Sequence, residues 1–353
     1  MSRNTFLPAL GLALGIIFAT ISQTHACSRV VYLGPDGTVI TARSMDWAND
    51  IHTDLWAFPR GMKRDGAAEP KSIQWTSKYG SVISAGFDVA TADGMNEKGL
   101  VTSLLYLVES EYVKPTSDDK RQPIAISAWA QYVLDNYATV AEAVAAIKQE
   151  PFYVLPMMTP DGKPGHMHLA ISDPTGDSAI FEYIGGKLVI HHGREFQVMC
   201  NSPVYDQQLA LSKYGEQIGG TVMLPGTNRS ADRFARLSFY IGAVKKTVDI
   251  NEAVATSFSI IRNASVPIGI RTPGQPNISQ TLWRTVSDHK NRRYYFESTR
   301  SPNVFWVNLA DMDFPEGAPV KKLKISDGSI FAGNTADQFQ KAEPFKFLPA
   351  EVK

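Results

Sequence analysis

From residue 28 onward, apolar and polar positions alternate in blocks that predict strands, interrupted by stretches with helical spacing. Residues 29–33 and 38–43 are rich in β-branched side chains and flank Gly34-Pro35-Asp36-Gly37, a combination that predicts a β-hairpin. Such a hairpin brings Arg43, and Asp46 just beyond it, back toward residue 27. Residues 49–69 are polar and broken by Pro59, Gly61 and Asp65-Gly66, so they read as surface connections with at most one strand, near 54–58. Residues 73–76, 80–87 and 100–108 read as further strands. The last two are joined through Asp93-Gly94-Met95-Asn96-Glu97-Lys98-Gly99, which has the composition of a turn-rich connector.

Residues 123–137 shift to helical spacing, with Ile124, Ile126, Trp129, Val133 and Leu134 on one side and Pro123 in the first turn. Thr139-Val140-Ala141-Glu142 has the form of a capping box and predicts the start of a second helix. Strands return at 167–172, 178–184, 187–191 and 196–200, separated by turns at 173–177 and Gly185-Gly186; this meander predicts antiparallel pairing. Helices are expected at 205–214, 230–244 and 250–261, then strands at 281–288, 293–297 and 304–309, with a hairpin turn at 288–292. Strands and helices arrive in blocks rather than in βαβ alternation, so the expected class is α+β with antiparallel sheets. Segments 180–184 and 304–309 are apolar on both faces, which calls for two sheets face to face with helices outside. No internal repeat or low-complexity segment is present.

The first 26 residues follow another pattern: Arg3, an apolar run over 6–21 broken by Pro8, two glycines and Thr20, then Thr24-His25-Ala26. This is the form of a cleaved secretory signal peptide. The run falls short of the roughly 20 apolar residues that span a bilayer. A periplasmic or secreted chain of residues 27–353 is expected, forming a single domain without a membrane span. Its formal net charge is zero, with basic and acidic residues interleaved, so no basic face exists for nucleic acid. Cys27 and Cys200 are the only cysteines. An exported compartment permits a disulfide between them, but that bond would consume the Cys27 thiolate, so a catalytic Cys27 requires both to stay reduced.

Cleavage before Cys27 would free an α-amine on a thiol-bearing residue. An α-amine titrates near pH 7.7–8.0, so it can accept the proton of its own side chain, joining nucleophile and base in one residue. Two other readings of Cys27 stand beside this one. It could be a lipoprotein acylation site, although that signal favours a leucine-like residue and then a small one where Thr24 and His25 stand, or it could be a cysteine that merely lies near the cut. His166 and His168 share one face of a strand, and with His191 and His192 they raise the question of zinc. No HExxH or CxxC spacing completes a ligand set, so they read as surface or packing residues, with no metal expected.

Cys27 is followed in order by Arg43-Ser44-Met45-Asp46-Trp47, Asp93-Gly94-Met95-Asn96-Glu97-Lys98-Gly99-Leu100, Cys200-Asn201-Ser202-Pro203 and Ser230-Ala231-Asp232-Arg233-Phe234. On these motifs, the chain from 27 to about 310 resembles the choloylglycine hydrolase family of N-terminal-nucleophile (Ntn) amidases, which contains penicillin V acylases and bile salt hydrolases. The resemblance implies a four-layer αββα sandwich of two antiparallel sheets, the Ntn-hydrolase fold, and a thioester mechanism without cofactors. It implies that Cys27 is nucleophile and, through its amine, base. Arg43 would sit beside the thiol and lower its pKa from about 8.5 toward neutrality, and Asp46 would hold the α-amine. The Asn201 side chain and the Tyr106 backbone N–H would form the oxyanion hole, and Arg233 would polarise the network. Read without the family, Arg43 is a charge at a strand end, Asp46 and Asn201 are turn residues, and Arg233 is a solvated helix position.

Trp47, Tyr106 and Phe87 would line an apolar acyl pocket, with core packing the plainer reading, and the favoured one for Phe87. Tyrosine at 106 matches penicillin V acylases, whereas bile salt hydrolases carry asparagine there. The expected substrate is therefore a small-molecule amide with an apolar or aromatic acyl group, penicillin V and N-acyl homoserine lactones included; bile salt hydrolysis is the alternative, and acyl transfer to an amine a third outcome. The interval from Cys200 to Arg233 is shorter than in Gram-positive members, which use a loop there in assembly. A homotetramer is still implied, with its interface open.

Overall fold

The hairpin predicted from turn chemistry forms from β1 (Ser28–Leu33) and β2 (Val39–Trp47), which pair antiparallel. The structure, a computed structural model, describes residues 27–219, 222–270, 279–301 and 303–351, so the expected signal peptide at 1–26 lies outside the described residues. The 49–69 segment holds two strands rather than one: β3 (Leu55–Phe58) and β4 (Lys63–Asp65), the latter paired with β5 (Gln74–Thr76) in a small ribbon.

Next come β6 (Ser81–Gly86), β7 (Ala90–Asn96) and β8 (Val101–Tyr106), in successive antiparallel pairing. The expectation of a connector at 93–99 is thus corrected: residues 93–96 are strand, and the turn is confined to the residues after Asn96. Gly94 is there for close approach. A Cβ on it would lie 2.5 Å from Ile83 Cγ2 and 2.8 Å from the Val82 carbonyl oxygen. Gly99, at φ 85°, is the turn glycine.

The helix expected from residue 123 begins instead at Ile126, as α1 (Ile126–Asn136), because Gln122–Ala125 forms β9 and pairs parallel with β10 (Phe152–Leu155). The backbone of that segment is committed elsewhere: the Ile73 N–H donates to the Pro123 carbonyl and the Ala125 N–H to the Gly66 carbonyl. Between β9 and β10 in the chain, α2 (Val140–Ile147) starts as predicted, with the Thr139 hydroxyl accepting from the Glu142 N–H at 3.2 Å and the Glu142 carboxylate accepting from the Ala138 N–H.

The meander β11 (Met167–Ser172), β12 (Ser178–Ile184) and β13 (Lys187–His192) also forms. The segment at 196–200 leaves it. Only Val198–Met199 is strand, β14, and it pairs with β1 in the other sheet. After it come α3 (Tyr205–Ile218), α4 (Ser230–Ala243) and α5 (Ile250–Asn263), then β15 (Gln280–Asp288), β16 (Arg293–Ser298) and β17 (Val304–Asn308). β17 buries one face only, through Phe305 and Val307, so the expectation of two apolar buried faces at 304–309 is corrected. β18 (Lys321–Leu323), β19 (Gly333–Asn334) and β20 (Gln340–Lys341) occupy a region where the sequence pattern predicts no elements.

These strands build a seven-stranded sheet, β14-β1-β2-β15-β16-β17-β19, and a nine-stranded sheet, β13-β12-β11-β8-β7-β6-β3-β18-β20. Pairing within them is antiparallel apart from β17–β19. Helices α1 and α2 cover the nine-stranded sheet, and α4 and α5 cover the seven-stranded one, so the fold is an α+β sandwich of αββα order. Burial of Leu, Ile, Val and Phe between the layers drives its formation, at roughly 1.5–3 kcal/mol per side chain. Polar contacts then fix the register of sheet on sheet: Arg29 of β1 donates to the Ser178 hydroxyl and the Ile171 carbonyl, both at 3.0 Å, and Thr41 Oγ1 lies 2.8 Å from Ser172 Oγ. The chain then returns across the nine-stranded sheet, where the Leu348 N–H donates to the Val89 carbonyl, the Ala350 N–H to the Ala67 carbonyl and the Glu351 N–H to the Pro156 carbonyl. No helix among the described residues is long and apolar enough to cross a membrane.

Candidate active site

Residue 27 immediately precedes β1, and the β1–β2 register pairs Ser28 with Ser44 and Arg29 with Arg43, so the end of β2 lies beside it. Cys27 is 2% exposed. Its sulfur accepts from the Asp46 N–H at 3.4 Å, lies 3.9 Å from Met45 Sδ and receives Arg43 Nη2 at 4.0 Å. The Arg43 guanidinium is itself anchored: Nη1 donates to the Ala92 carbonyl, Nη2 to the Leu104 carbonyl at 2.9 Å, and its plane lies over Trp283 with 5.0 Å to the ring centroid. The expectation that Arg43 brings the thiol toward neutral pH is corrected. Burial pushes the Cys27 thiol above the ordinary cysteine value, and the opposing pull of Arg43 does not overcome it. The other thiol, Cys200, lies 3.4 Å from Ser28 Oγ, and both cysteines are free.

Asp46 is fully buried on β2. Its Oδ2 accepts from the Ser44 hydroxyl at 3.2 Å and lies 4.0 Å from Arg233 Nη1, while its Oδ1 is buried without a hydrogen-bond partner. Burial raises this carboxyl to about 6, opposed first by Arg233 and then by the Thr281 and Ser44 hydroxyls. An unpartnered carboxylate oxygen at this depth suits a cationic donor.

Arg233, in the first turn of α4, joins the remaining groups. Its Nη1 donates to the Cys27 carbonyl at 2.7 Å and to the Ser28 hydroxyl, and its Nη2 donates to Asn201 Oδ1 at 2.9 Å. That contact leaves the Asn201 amide nitrogen pointing at the Tyr106 carbonyl, 2.6 Å away. Tyr106 ends β8. Because the next N–H, of Leu107, donates to the His166 carbonyl, the alternation of a strand turns residue 106's backbone groups away from β11. Asn201 is held from behind as well. Gln208 of α3 donates through Nε2 to the Asn201 carbonyl and to the Pro203 carbonyl, and the Tyr205 N–H at the start of α3 donates to Glu182 Oε2 at 3.1 Å. Burial works against the Glu182 charge, yet the His168 hydrogen bond and the nearby His191 ring hold the carboxyl down to about 2.

The four histidines therefore lie apart from the sulfur. His168 and His191 face Glu182 at 3.0 and 3.7 Å, His192 lies 2.8 Å from Asp177, and His166 Nδ1 lies 3.0 Å from the Ser110 carbonyl. Among the described residues no group of three or more His, Cys, Asp or Glu side chains is placed to hold a metal ion.

The sulfur also borders an apolar pocket that is open to solvent and has a cavity volume of about 60 Å³. Its walls include Met45, Trp47, Ile51, Phe87, Leu104, Tyr106, Met157 and Met167. Trp47 and Tyr106 meet edge to face with ring centroids 5.9 Å apart. Phe87 lines the pocket rather than only packing in the core: it sits at φ 54° in the tight turn between β6 and β7, where the Val89 N–H donates to the Gly86 carbonyl. Two further positions carry the site and have no sequence signal of their own. Asp161 accepts from Trp47 Nε1 at 2.8 Å and Asn49 Nδ2 at 3.2 Å, and Lys163 Nζ lies 5.0 Å from the Trp47 ring centroid. A buried sulfur thus has cations and amide donors on one side and an apolar cavity on the other, an arrangement suited to attack on a carbonyl carbon that carries an apolar substituent.

Comparisons with known proteins agree with this geometry. The pattern of the linear amide C–N hydrolases, choloylglycine hydrolase family, matches residues 27–323. A penicillin V acylase of Pectobacterium atrosepticum is 49% identical over 98% of this chain and 99% of its own length. The solved structure of a penicillin V acylase from Agrobacterium tumefaciens superposes with a TM-score of 0.85 at 54% identity, over 92% of this chain and 100% of that one. A conjugated bile acid hydrolase structure from Clostridium perfringens, 23% identical over 87% of this chain and 98% of its own, shares the fold with a TM-score of 0.72.

Proposed function

We propose, from the premise that this chain belongs to the choloylglycine hydrolase family of linear amide C–N hydrolases, that cleavage before Cys27 creates its catalytic nucleophile. The observation that carries this reading is the placement of the Cys27 sulfur between Arg43 and the apolar pocket, with Arg233 tying the Cys27 carbonyl to the Asn201 amide. Two facts support the cleavage point: the family pattern begins at residue 27, and Asp46 has a partnerless oxygen next to that residue.

In this mechanism the uncharged α-amine of Cys27 takes the thiol proton, and Asp46 holds the resulting ammonium. Burial favours the neutral thiol, so the sulfur loses its proton only as the amine receives it. The sulfur attacks the amide carbon. The carbonyl oxygen becomes an oxyanion that the second hydrogen of Asn201 Nδ2 and the Tyr106 N–H stabilise; the first hydrogen of that amide is engaged by the Tyr106 carbonyl. The carbon–nitrogen bond then breaks, and the departing amine takes the proton from the ammonium. Water attacks the thioester carbon, releasing the carboxylic acid and restoring the thiol.

The chain is an amide hydrolase of penicillin V acylase type, and within that class the pocket suits a phenoxyacetyl group or a fatty acyl chain. Hydrolysis of N-acyl homoserine lactones belongs to this proposal, as do export to the periplasm or medium and assembly as a homotetramer. N-terminal sequencing and intact mass of the exported protein, with rates on penicillin V, a long-chain acyl homoserine lactone and glycocholate, test it. A first residue other than Cys27, or a diacylglyceryl group on it, overturns the nucleophile. No release of homoserine lactone at high enzyme concentration removes that substrate, and glycocholate as the fastest substrate selects the bile salt alternative. Fractionation and sedimentation test location and assembly.

A further inference from the structure

The mechanism above leaves the buried carboxylate that faces Arg43 without a role. Asp93 of β7 lies between the sheets, 1% exposed. Its Oδ1 accepts from Ser103 Oγ of β8 at 2.7 Å, and its Oδ2 accepts from Thr285 Oγ1 of β15 at 2.9 Å and from the Tyr294 hydroxyl of β16 at 2.7 Å. The Tyr294 oxygen also lies 2.8 Å from Ser84 Oγ of β6. Burial raises the Asp93 carboxyl above its ordinary value, and the Arg43 charge and then the three hydroxyl donors work against that rise in favour of the anion. The fourth neighbour is the one that matters for chemistry. Arg43 Nη1 lies 3.7 Å from Asp93 Oδ1, and Nη2 of the same guanidinium lies 4.0 Å from the Cys27 sulfur. Arg43 is also 1% exposed, so water screens neither contact.

We propose that Asp93 is a positioning residue for the nucleophile: it fixes Arg43 from the side away from the sulfur and shares its positive charge, so that one cation serves two acids. The proposal rests on the reading of Cys27 as nucleophile. At rest the pair Arg43–Asp93 is neutral, and the sulfur stays a thiol. When the sulfur becomes anionic, the guanidinium already faces it, and attraction across a water-free gap needs no rearrangement. Without the Asp93 charge, Arg43 would be an uncompensated buried cation with the sulfur as its nearest acid, and it would draw out a standing thiolate. In the processed chain the other titratable or charged groups near the sulfur are the Cys27 α-amine, Asp46 on β2 and, behind it, Arg233 on α4; near Asp93 they are Tyr294 and, farther off, Arg29. Of these, Tyr294 and Arg29 feel the loss of the Asp93 charge, and neither contacts the sulfur.

The test is the pH dependence of Cys27 alkylation by iodoacetamide in the processed protein, with the modified site read by peptide mass. For Asp93→Asn the profile moves at least about one pH unit toward acid, so that alkylation well below the wild-type midpoint runs about tenfold faster. In the same variant kcat for amide hydrolysis falls with little change in KM, because Arg43 has lost its counter-charge while the acyl pocket is untouched. A general loss of packing would slow both reactions and would not move the midpoint toward acid. Asp93→Ser leaves a hydroxyl for Tyr294 and Thr285 and carries the same expectation if the asparagine variant does not fold. An unmoved midpoint, or one moved toward alkali, in either folded variant overturns the proposal. Alkylation reads the sulfur whether or not it turns over an amide, so failure of the hydrolytic reading, tested by Cys27→Ala, is seen separately.

Discussion

The two sides of Cys27 are built differently. On the polar side, Arg43 and Asp46 come from a central strand, Arg233 from a helix, and Asn201 from a turn held by Gln208, and each is held by fixed polar contacts. On the apolar side, Phe87 sits on a hairpin tip and Met157, Thr159 and Pro160 on a loop, with Asp161 clasping Trp47 across the gap. On the proposed mechanism, the contrast teaches that bond-breaking geometry rests wholly on layers that cannot shift singly, whereas the acyl pocket, though floored by strands through Met45, Leu104 and Met167, is completed by segments that can be exchanged without disturbing those layers. Changes on the polar side should therefore cost rate, and changes on the apolar side should alter preference.

The sharpest break of that contrast is Cys27→Ala, which should lower kcat by about 10⁶-fold, as removal of a nucleophile does elsewhere, while calorimetry still detects substrate in the pocket. Next, Asn201→Ala should cost about 10²–10³ in kcat with KM nearly constant in steady-state assays; a KM effect alone would move Asn201 to the binding side. Third is pH. Asp46 is raised from 3.8 to about 6, and an ammonium beside it pulls the value down, so kcat/KM should fall tenfold per unit below a midpoint at or under about 6. The sign for stability is opposite. A carboxyl with a raised folded-state value stabilises the fold on the acid side, and that contribution is lost as pH rises from 3.8 through about 6. Asp46→Asn should remove both dependences in rate profiles and thermal melts. The smallest effect is expected for Asp161→Ala, which frees the Trp47 indole: the ratio of kcat/KM for phenoxyacetyl over linear acyl amides should change by up to about tenfold, the worth of one charge-assisted hydrogen bond, with kcat on the better substrate little altered.

Much of this architecture is legible in the sequence where local chemistry decides it. The β1–β2 turn, the Thr139 cap and the β11–β13 meander follow from residues within a few positions of each other. Strand β7 is misread for the opposite reason. Asp93 and Asn96 look like turn residues, but their side chains are satisfied by Thr285 and Tyr294 of the other sheet and by carbonyls of Leu134 and Tyr137, which no local pattern contains. The same holds for β14, whose partner β1 lies some 170 residues away, and for the short strands after residue 320, whose pairing is with β3 and β17. In the site, Cys27 and the family motifs supply Arg43, Asp46, Asn201 and Arg233. Asp161, Glu182 and Gln208 act on Trp47 and on the Asn201 turn through contacts that exist only once the sheets and α3 have met, so nothing nearby in sequence marks them. The direction of the thiol's shift is likewise a property of burial, and residue types alone suggested the reverse.

Residues 348–351 are stitched to Val89, Ala67 and Pro156, and the Ser127 hydroxyl donates to the Leu348 carbonyl at 2.7 Å. The turn that carries Phe87 and the loop that carries Met157 are therefore pinned only once residues 348–351 have been made and have docked, so one wall of the cavity waits on a segment more than 300 residues beyond the sulfur.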